Sequence, residues 1–256
     1  MNGFEQLMQM RVDSYNNSVG DLTGYDCPKC KNRGNFLVIN EQGFEAMRQC
    51  ECMQIRKMQW LAARSGLGDV LNEYTFEKYT HNEGWQEHIY QTAKAFIDDQ
   101  SAHCFYIGGQ IGSGKSHICT AIVREFINKG VDVHFCVWND VVTSLKQNIM
   151  EDRQQYAAEL EKLQTATVLY IDDFFKTNPS VADIDKAFQI INFRYNLAKA
   201  NRNKRFVTII SSEKTLGQQI DIDEAIASRI AEMCQRKYYL TIERDKRKNM
   251  RFKGVR

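Results

Sequence analysis

The sequence predicts an α/β fold: a three-layer arrangement in which a parallel sheet carries helices on both faces, with a small metal-binding unit ahead of it. Three observations lead there. From about residue 101 onwards, strand-length apolar runs alternate with helical patterns, as they do when helices form the crossovers of a parallel sheet. A glycine-rich stretch, Gly109-Gln110-Ile111-Gly112-Ser113-Gly114-Lys115-Ser116, lies between the first such run and the first such helix. Two close cysteine pairs, Cys27 with Cys30 and Cys50 with Cys52, precede all of it.

Three zones follow in order. Residues 1–65 hold the cysteines and a helix over 53–64 and form a zinc-binding domain. Residues 66–100 read as a linker, punctuated by Ser65, Gly66, Leu67 and Gly68. Residues 101–256 form the sheet domain, with strands expected at 103–107, 131–137, 167–171, 205–211 and 237–242. Three of these are apolar enough to be buried on both faces. Helices are expected at 115–128, 184–200 and 224–233, with a long polar helical stretch at 139–163 that is one helix or two, its charge pattern deciding neither.

Composition bounds the class. The chain of 256 residues is 43% hydrophobic with only two prolines, which suits a chain able to bury a core. Its longest apolar runs, 168–171 and 206–210, fall far short of the ~20 residues that cross a bilayer. Residues 1–13 show no basic stretch leading into an apolar one, so a cytoplasmic protein without a membrane partner is expected. Formal charge is only +2, yet nine Lys or Arg crowd residues 236–256 against Glu243 and Asp245. Such an end either tracks a phosphate backbone or is a solvated tail. Cys104, Cys119, Cys136 and Cys234 sit among apolar neighbours and read as core packing.

The stretch 109–116 fits G-x-x-x-x-G-K-[ST]. Its glycines let successive backbone N–H groups turn inward onto phosphate oxygens, and the helix that starts there adds its positive end. Lys115 supplies a point charge to the β- and γ-phosphates of ATP, and the Ser116 hydroxyl is a ligand for Mg²⁺. These eight residues and the following His117 make up the candidate nucleotide-binding set. Downstream, Val168-Leu169-Tyr170-Ile171 ends in Asp172 and Asp173, at the strand end where open α/β sheets bind ligands. Asp172 is placed to hold Mg²⁺, and Asp173 to orient the attacking water. A further buried strand ends in Ser211, Ser212 and Glu213, of which Ser212 is expected between the acids and the γ-phosphate.

Nineteen residues separate Cys30 from Cys50. Two thiolate pairs joined by a loop of this size suit tetrahedral Zn²⁺, and the metal would supply much of the folding energy of so small a unit. The C-x-C spacing of Cys50 and Cys52 is tighter than the usual C-x-x-C, and an iron–sulfur cluster or a redox pair are the alternatives.

From the cysteines to near its end, the chain resembles the DnaC/DnaI-type helicase loaders of bacteria and phages, members of the AAA+ superfamily. The residues that carry the resemblance are 109–116, Ile171-Asp172-Asp173, Ile191-Asn192-Phe193-Arg194-Tyr195, Thr208-Ile209-Ile210-Ser211-Ser212-Glu213 and Ala227-Ser228-Arg229-Ile230. It implies an ATPase whose N-terminal zinc domain grips a hexameric replicative helicase and delivers it to single-stranded DNA. It also implies a homo-oligomeric ring or spiral in the ATP-bound state. Ser212 then falls in the sensor 1 region and Arg229 at the arginine-finger position, acting in trans on a neighbour's γ-phosphate. Two departures stand out: the usual Asp-Glu pair is Asp172-Asp173, and no helical lid with a sensor 2 arginine follows the last strand. Phe174-Phe175-Lys176 is a candidate single-stranded DNA contact, and Tyr74, Phe76 or Tyr79 a candidate adenine contact. Other readings are an IstB-like ATPase that assists a transposase, a small-molecule kinase, and a zinc-dependent DNA-binding regulator.

Overall fold

Strands that are apolar on both faces can only be interior, and the sheet is built on three of them. β3 (Cys104–Gly109), β5 (Val168–Asp172) and β6 (Val207–Ser212) are buried at every position. In the computed structural model they join β4 (Val133–Val137) and β7 (Tyr239–Ile242) in one five-stranded sheet of order β4-β5-β6-β3-β7. Every pairing is parallel. β7, at one edge, alternates exposed and buried residues. The connection from β3 passes over β6 and β5 to reach β4. The chain order therefore reverses beside β3, and the C-terminal end of that strand is a topological switch point.

Residues 3–64, 70–201 and 204–252 are described, so the stretch Ser65–Gly68 and the last four residues of the basic end lie outside. The chain divides into two compact units, Met1–Trp60 and Leu61–Arg256. The larger unit includes most of what the sequence suggests is a linker. There α3 (Val70–Glu73) and α4 (Gly84–Asp98) pack on α5 (Lys115–Asn128). α4 buries Ile89, Ala93, Phe96 and Ile97, the one-sided spacing of a helix laid on a core.

The polar stretch 139–163 is two helices, α6 (Trp138–Glu151) and α7 (Arg153–Thr165). Asp152 makes the break: its carboxylate accepts from the Gln154 and Gln155 N–H groups at 3.0 and 2.9 Å, capping α7. α8 (Val181–Ala200) starts on a capping box of Ser180 and Asp183. α9 (Leu216–Ile220) and α10 (Glu224–Met233) follow β6, and α10 packs on α8. Arg194 of α8 is fully buried. Its guanidinium donates to Thr208 Oγ1 and to the carbonyls of Leu163, Gln164, Ala166 and Val207, joining the end of α7 to β6.

In the smaller unit, α1 (Gly3–Asn17) lies on a hairpin of β1 (Asn35–Ile39) and β2 (Glu45–Gln49). Asn16 holds it there by bonding both N–H and C=O of Leu37, at 3.0 and 2.9 Å. α2 (Cys52–Arg64) closes the unit.

Candidate functional site

The loop after β3 is held in a shape that only glycine adopts easily. Gly109, Gly112 and Gly114 have φ of +112°, +70° and +88°. A side chain at Gly109 would also stand 2.0 Å from the Ile242 carbonyl oxygen. α5 begins at Lys115, so its unpaired N–H groups and positive end face the loop's interior. Lys115 is 7% exposed and donates to the carbonyls of Gly109 and Gln110 at 3.1 and 2.6 Å. Burial draws its pKa below the usual lysine value, against the pull of Glu213, Asp173 and Asp172. A polyphosphate, with several negative charges, is the ligand that relieves such a buried cation.

Ser116 and the end of β5 meet at one oxygen. Ser116 Oγ donates to Asp172 Oδ1 at 3.1 Å, and Ser211 Oγ donates to the same atom. Asp172 is 5% exposed. A hydroxyl and a carboxylate side by side form an all-oxygen donor pair that fits a hard divalent cation such as Mg²⁺. Asp173 follows in a left-handed backbone (φ 54°), its N–H donating to Ser211 Oγ at 3.2 Å. Its carboxylate pairs with Lys176 at 2.8 Å, and Glu213 stands 3.8 Å from the same ammonium.

These groups line a cavity of about 430 Å³, the size of a small-ligand site. Its walls include Ile111, Ser113, Lys115, Ser116, Asp172 and Asp173, together with Tyr74, Tyr79 and His117. Tyr74 stacks on His117 with ring centroids 4.6 Å apart and planes at 6°, while Tyr79 meets His117 edge-on. Burial lowers the His117 pKa, and its Nε2 faces the Thr75 carbonyl at 2.8 Å. A neutral ring that donates there explains both facts. Aromatic and charged side chains thus share one cavity, the two kinds of wall that the base and phosphates of a nucleotide need.

Several residues sit elsewhere than the sequence suggests. Ser212 is wholly buried and faces away from the acids. It donates to the Phe174 carbonyl at 2.6 Å and accepts from Lys214 N and Gln219 Nε2. Ser211 is the serine on Asp172. Phe174 and Phe175 are buried and stack on each other beside Trp138, so neither offers a face to a base. Lys176 alone of that trio reaches the cavity. Phe76 is buried against Tyr90 and does not line the cavity, unlike Tyr74 and Tyr79. Arg229 lies apart, folded on its own surface. It donates to Asn192 Oδ1 at 2.9 Å and to the Ala225 carbonyl at 2.8 Å, over the Phe188 ring. Met250 and Arg251 also line the cavity; a basic end read only for its charge gives no sign of this.

In the smaller unit the hairpin carries Cys27 and Cys30 before β1 to Cys50 and Cys52 after β2. All four are buried, and their sulfurs lie within 4.8 Å of one another. Cys27 and Cys50 are 3.8 Å apart at sulfur, and Cys30 and Cys52 3.5 Å. A tetrahedral site with metal–sulfur bonds of ~2.3 Å sets its sulfurs roughly 3.8 Å apart. The donor set therefore fits Zn²⁺, and no pair forms a disulfide. Burial pushes the Cys30 thiol up, but the Gly34 N–H at 3.3 Å and the neighbouring thiols bring it down to about 6. Among the described residues, no helix is long and apolar enough to cross a membrane.

Comparison with known proteins agrees with this geometry. The family model described as IstB-like ATP binding protein matches residues 30–236. Phage-like element PBSX protein XkdC of Bacillus subtilis (strain 168) is 31% identical over 253 residues, covering 92% of this chain and 90% of that protein. Replicative helicase loader DnaC of Escherichia coli (strain K12) is 25% identical over 119 residues, 46% of this chain and 49% of DnaC. Among solved structures, that of the DnaC helicase loader superposes with a TM-score of 0.55 at 19% identity, covering 66% of this chain and 97% of the other. AMPPCP-bound DnaA from Aquifex aeolicus gives a TM-score of 0.54 at 19% identity, covering 72% of this chain and 53% of DnaA. At those identities the likeness is one of fold.

Proposed function

Because the chain belongs to the family of IstB-like ATP-binding proteins, as an AAA+ P-loop ATPase, we propose that it is an ATP-driven loader of a hexameric replicative helicase onto single-stranded DNA. The observation that carries this reading is the separate four-cysteine unit, Met1–Trp60, joined to a nucleotide-binding one. A small unit with its own fold is suited to grip a partner while the larger one reports nucleotide state. It also offers apolar surface for the purpose, with Leu7, Met10, Phe44 and Met47 each more than half exposed. Zn²⁺ on Cys27, Cys30, Cys50 and Cys52 would hold that unit together.

In the larger unit, Ser116 and Asp172 would hold Mg²⁺, which supplies charge neutralisation across the β- and γ-phosphates. The chain's own groups do the rest. Loop N–H groups and Lys115 bind the phosphates, and Tyr74 with Tyr79 holds the base end. Ser211 fixes Asp172 in its rotamer. Asp173 would orient the attacking water once its ion pair with Lys176 opens. Arg229 would complete the charge cage of a neighbouring molecule's nucleotide in a ring or spiral, which makes turnover depend on assembly.

The full chain, incubated with its host's hexameric replicative helicase, is expected to co-purify with it, and the Cys27→Ser/Cys30→Ser variant to lose that partner while still binding ATP. If the intact protein recovers no helicase with or without ATP, the transposition-helper reading that the family also admits takes its place.

A further inference from the structure

After β7 the chain turns back over the phosphate loop in two short 3-10 turns, Lys246–Lys248 and Met250–Phe252. Three contacts tie this strap to the loop, beside the bond that Gln110 N donates to the Ile242 carbonyl at the end of β7, at 2.9 Å. The Asp245 N–H donates to Gln110 Oε1 at 2.9 Å. Met250 N donates to the Gly112 carbonyl at 2.8 Å. Asn249, only 9% exposed, lies so close to Gly112 that a side-chain carbon there would stand 2.1 Å from its Oδ1. Gly112 thus serves two purposes, since its φ of +70° shapes the loop and its bare α-carbon admits the strap. On the far side Gln86 of α4 reaches the Met250 sulfur at 3.7 Å.

The strap brings Arg251 to the wall of the nucleotide cavity. The cavity's other cations are engaged: Lys115 with two loop carbonyls, and Lys176 with Asp173 and Glu213. The Arg251 guanidinium has no hydrogen bond or ion pair with any described residue, although its backbone N–H is fixed by Asn249 Oδ1 at 3.1 Å. An anchored backbone with an uncommitted planar cation at its tip suits an anion that arrives later, and a polyphosphate is such an anion.

We propose that Arg251 binds the polyphosphate chain of the nucleotide in cis, and that Asn249, seated on Gly112, is the positioning residue that aims it. The basic end then has a share in the ATP site, whatever its outer lysines and arginines do. The inference concerns nucleotide binding alone and stands apart from the choice of partner.

The test is calorimetric titration of the full chain with ATP and Mg²⁺, comparing the native protein with Arg251→Gln and Arg251→Lys. Arg251→Gln is expected to raise Kd about tenfold, the scale of one charge-assisted hydrogen bond, and Arg251→Lys to recover most of it. The gap between native and Arg251→Gln protein should narrow as salt is raised, with the nucleotide-free melting temperature unchanged. An unaltered Kd in Arg251→Gln overturns the assignment. So does an equal loss in both variants accompanied by a lower nucleotide-free melting temperature, which would make Arg251 a packing residue.

Discussion

Ser116 and Ser211 donate to the same oxygen of Asp172 although they come from a helix and a strand 95 residues apart. Ser211→Ala should loosen that carboxylate, and the Mg²⁺ concentration that half-saturates hydrolysis is expected to rise about tenfold, in line with the loss of a partner that orients a ligand. Ser212→Ala is expected to leave the Mg²⁺ requirement unchanged and to cost about 1–2 kcal/mol of stability by taking the partner from the Lys214 N–H and the Phe174 carbonyl. Magnesium titrations and thermal melts of the two variants separate the roles. The sequence favours Ser212, whereas Ser211 is the one on Asp172, and the reason is physical. β6 is buried on both faces, so no polar–apolar alternation marks which of two adjacent hydroxyls looks toward β5. Lys115, Ser116 and Asp172 are legible because the loop motif fixes the first two by spacing and an apolar strand delivers the third. Phe174 and Phe175 are not, since an aromatic pair that fills a core and one that stacks on bases read alike.

Helices and strands are legible wherever burial leaves a period; inside 139–163 two helices are one of the readings, but the place of the break is not legible, because Asp152 caps α7 within a run that is polar on either side. α4 carries an apolar stripe in Ile89, Ala93, Phe96 and Ile97, the spacing of a packed helix rather than of a connection. Arg194 shows what an element owes to one side chain. Two of the carbonyls it serves, those of Leu163 at the end of α7 and Val207 in β6, are buried and lose their donor when the guanidinium goes. Arg194→Met is therefore expected to cost about 3 kcal/mol or more. That lowers the melting temperature of the larger unit by roughly 6–12 °C, which differential scanning calorimetry reads directly.

At the scale of the molecule, two units with separate cores should unfold separately. On the proposed zinc assignment, a strong chelator is expected to abolish the transition of Met1–Trp60 and to leave ATP affinity within about twofold of its starting value, because the nucleotide cavity draws every wall residue from the larger unit. Calorimetry before and after chelation, followed by nucleotide titration, checks both halves. On the proposed role in trans, Arg229 would add a property of the assembled state. In a lone molecule its guanidinium is sheathed by Asn192, the Ala225 carbonyl and the Phe188 ring. To serve a neighbour it must first be drawn out, at the expense of those contacts. Dilute protein would then idle with its fuel unspent, and a crowd gathered in one place would ignite together, so that local abundance acts as the throttle.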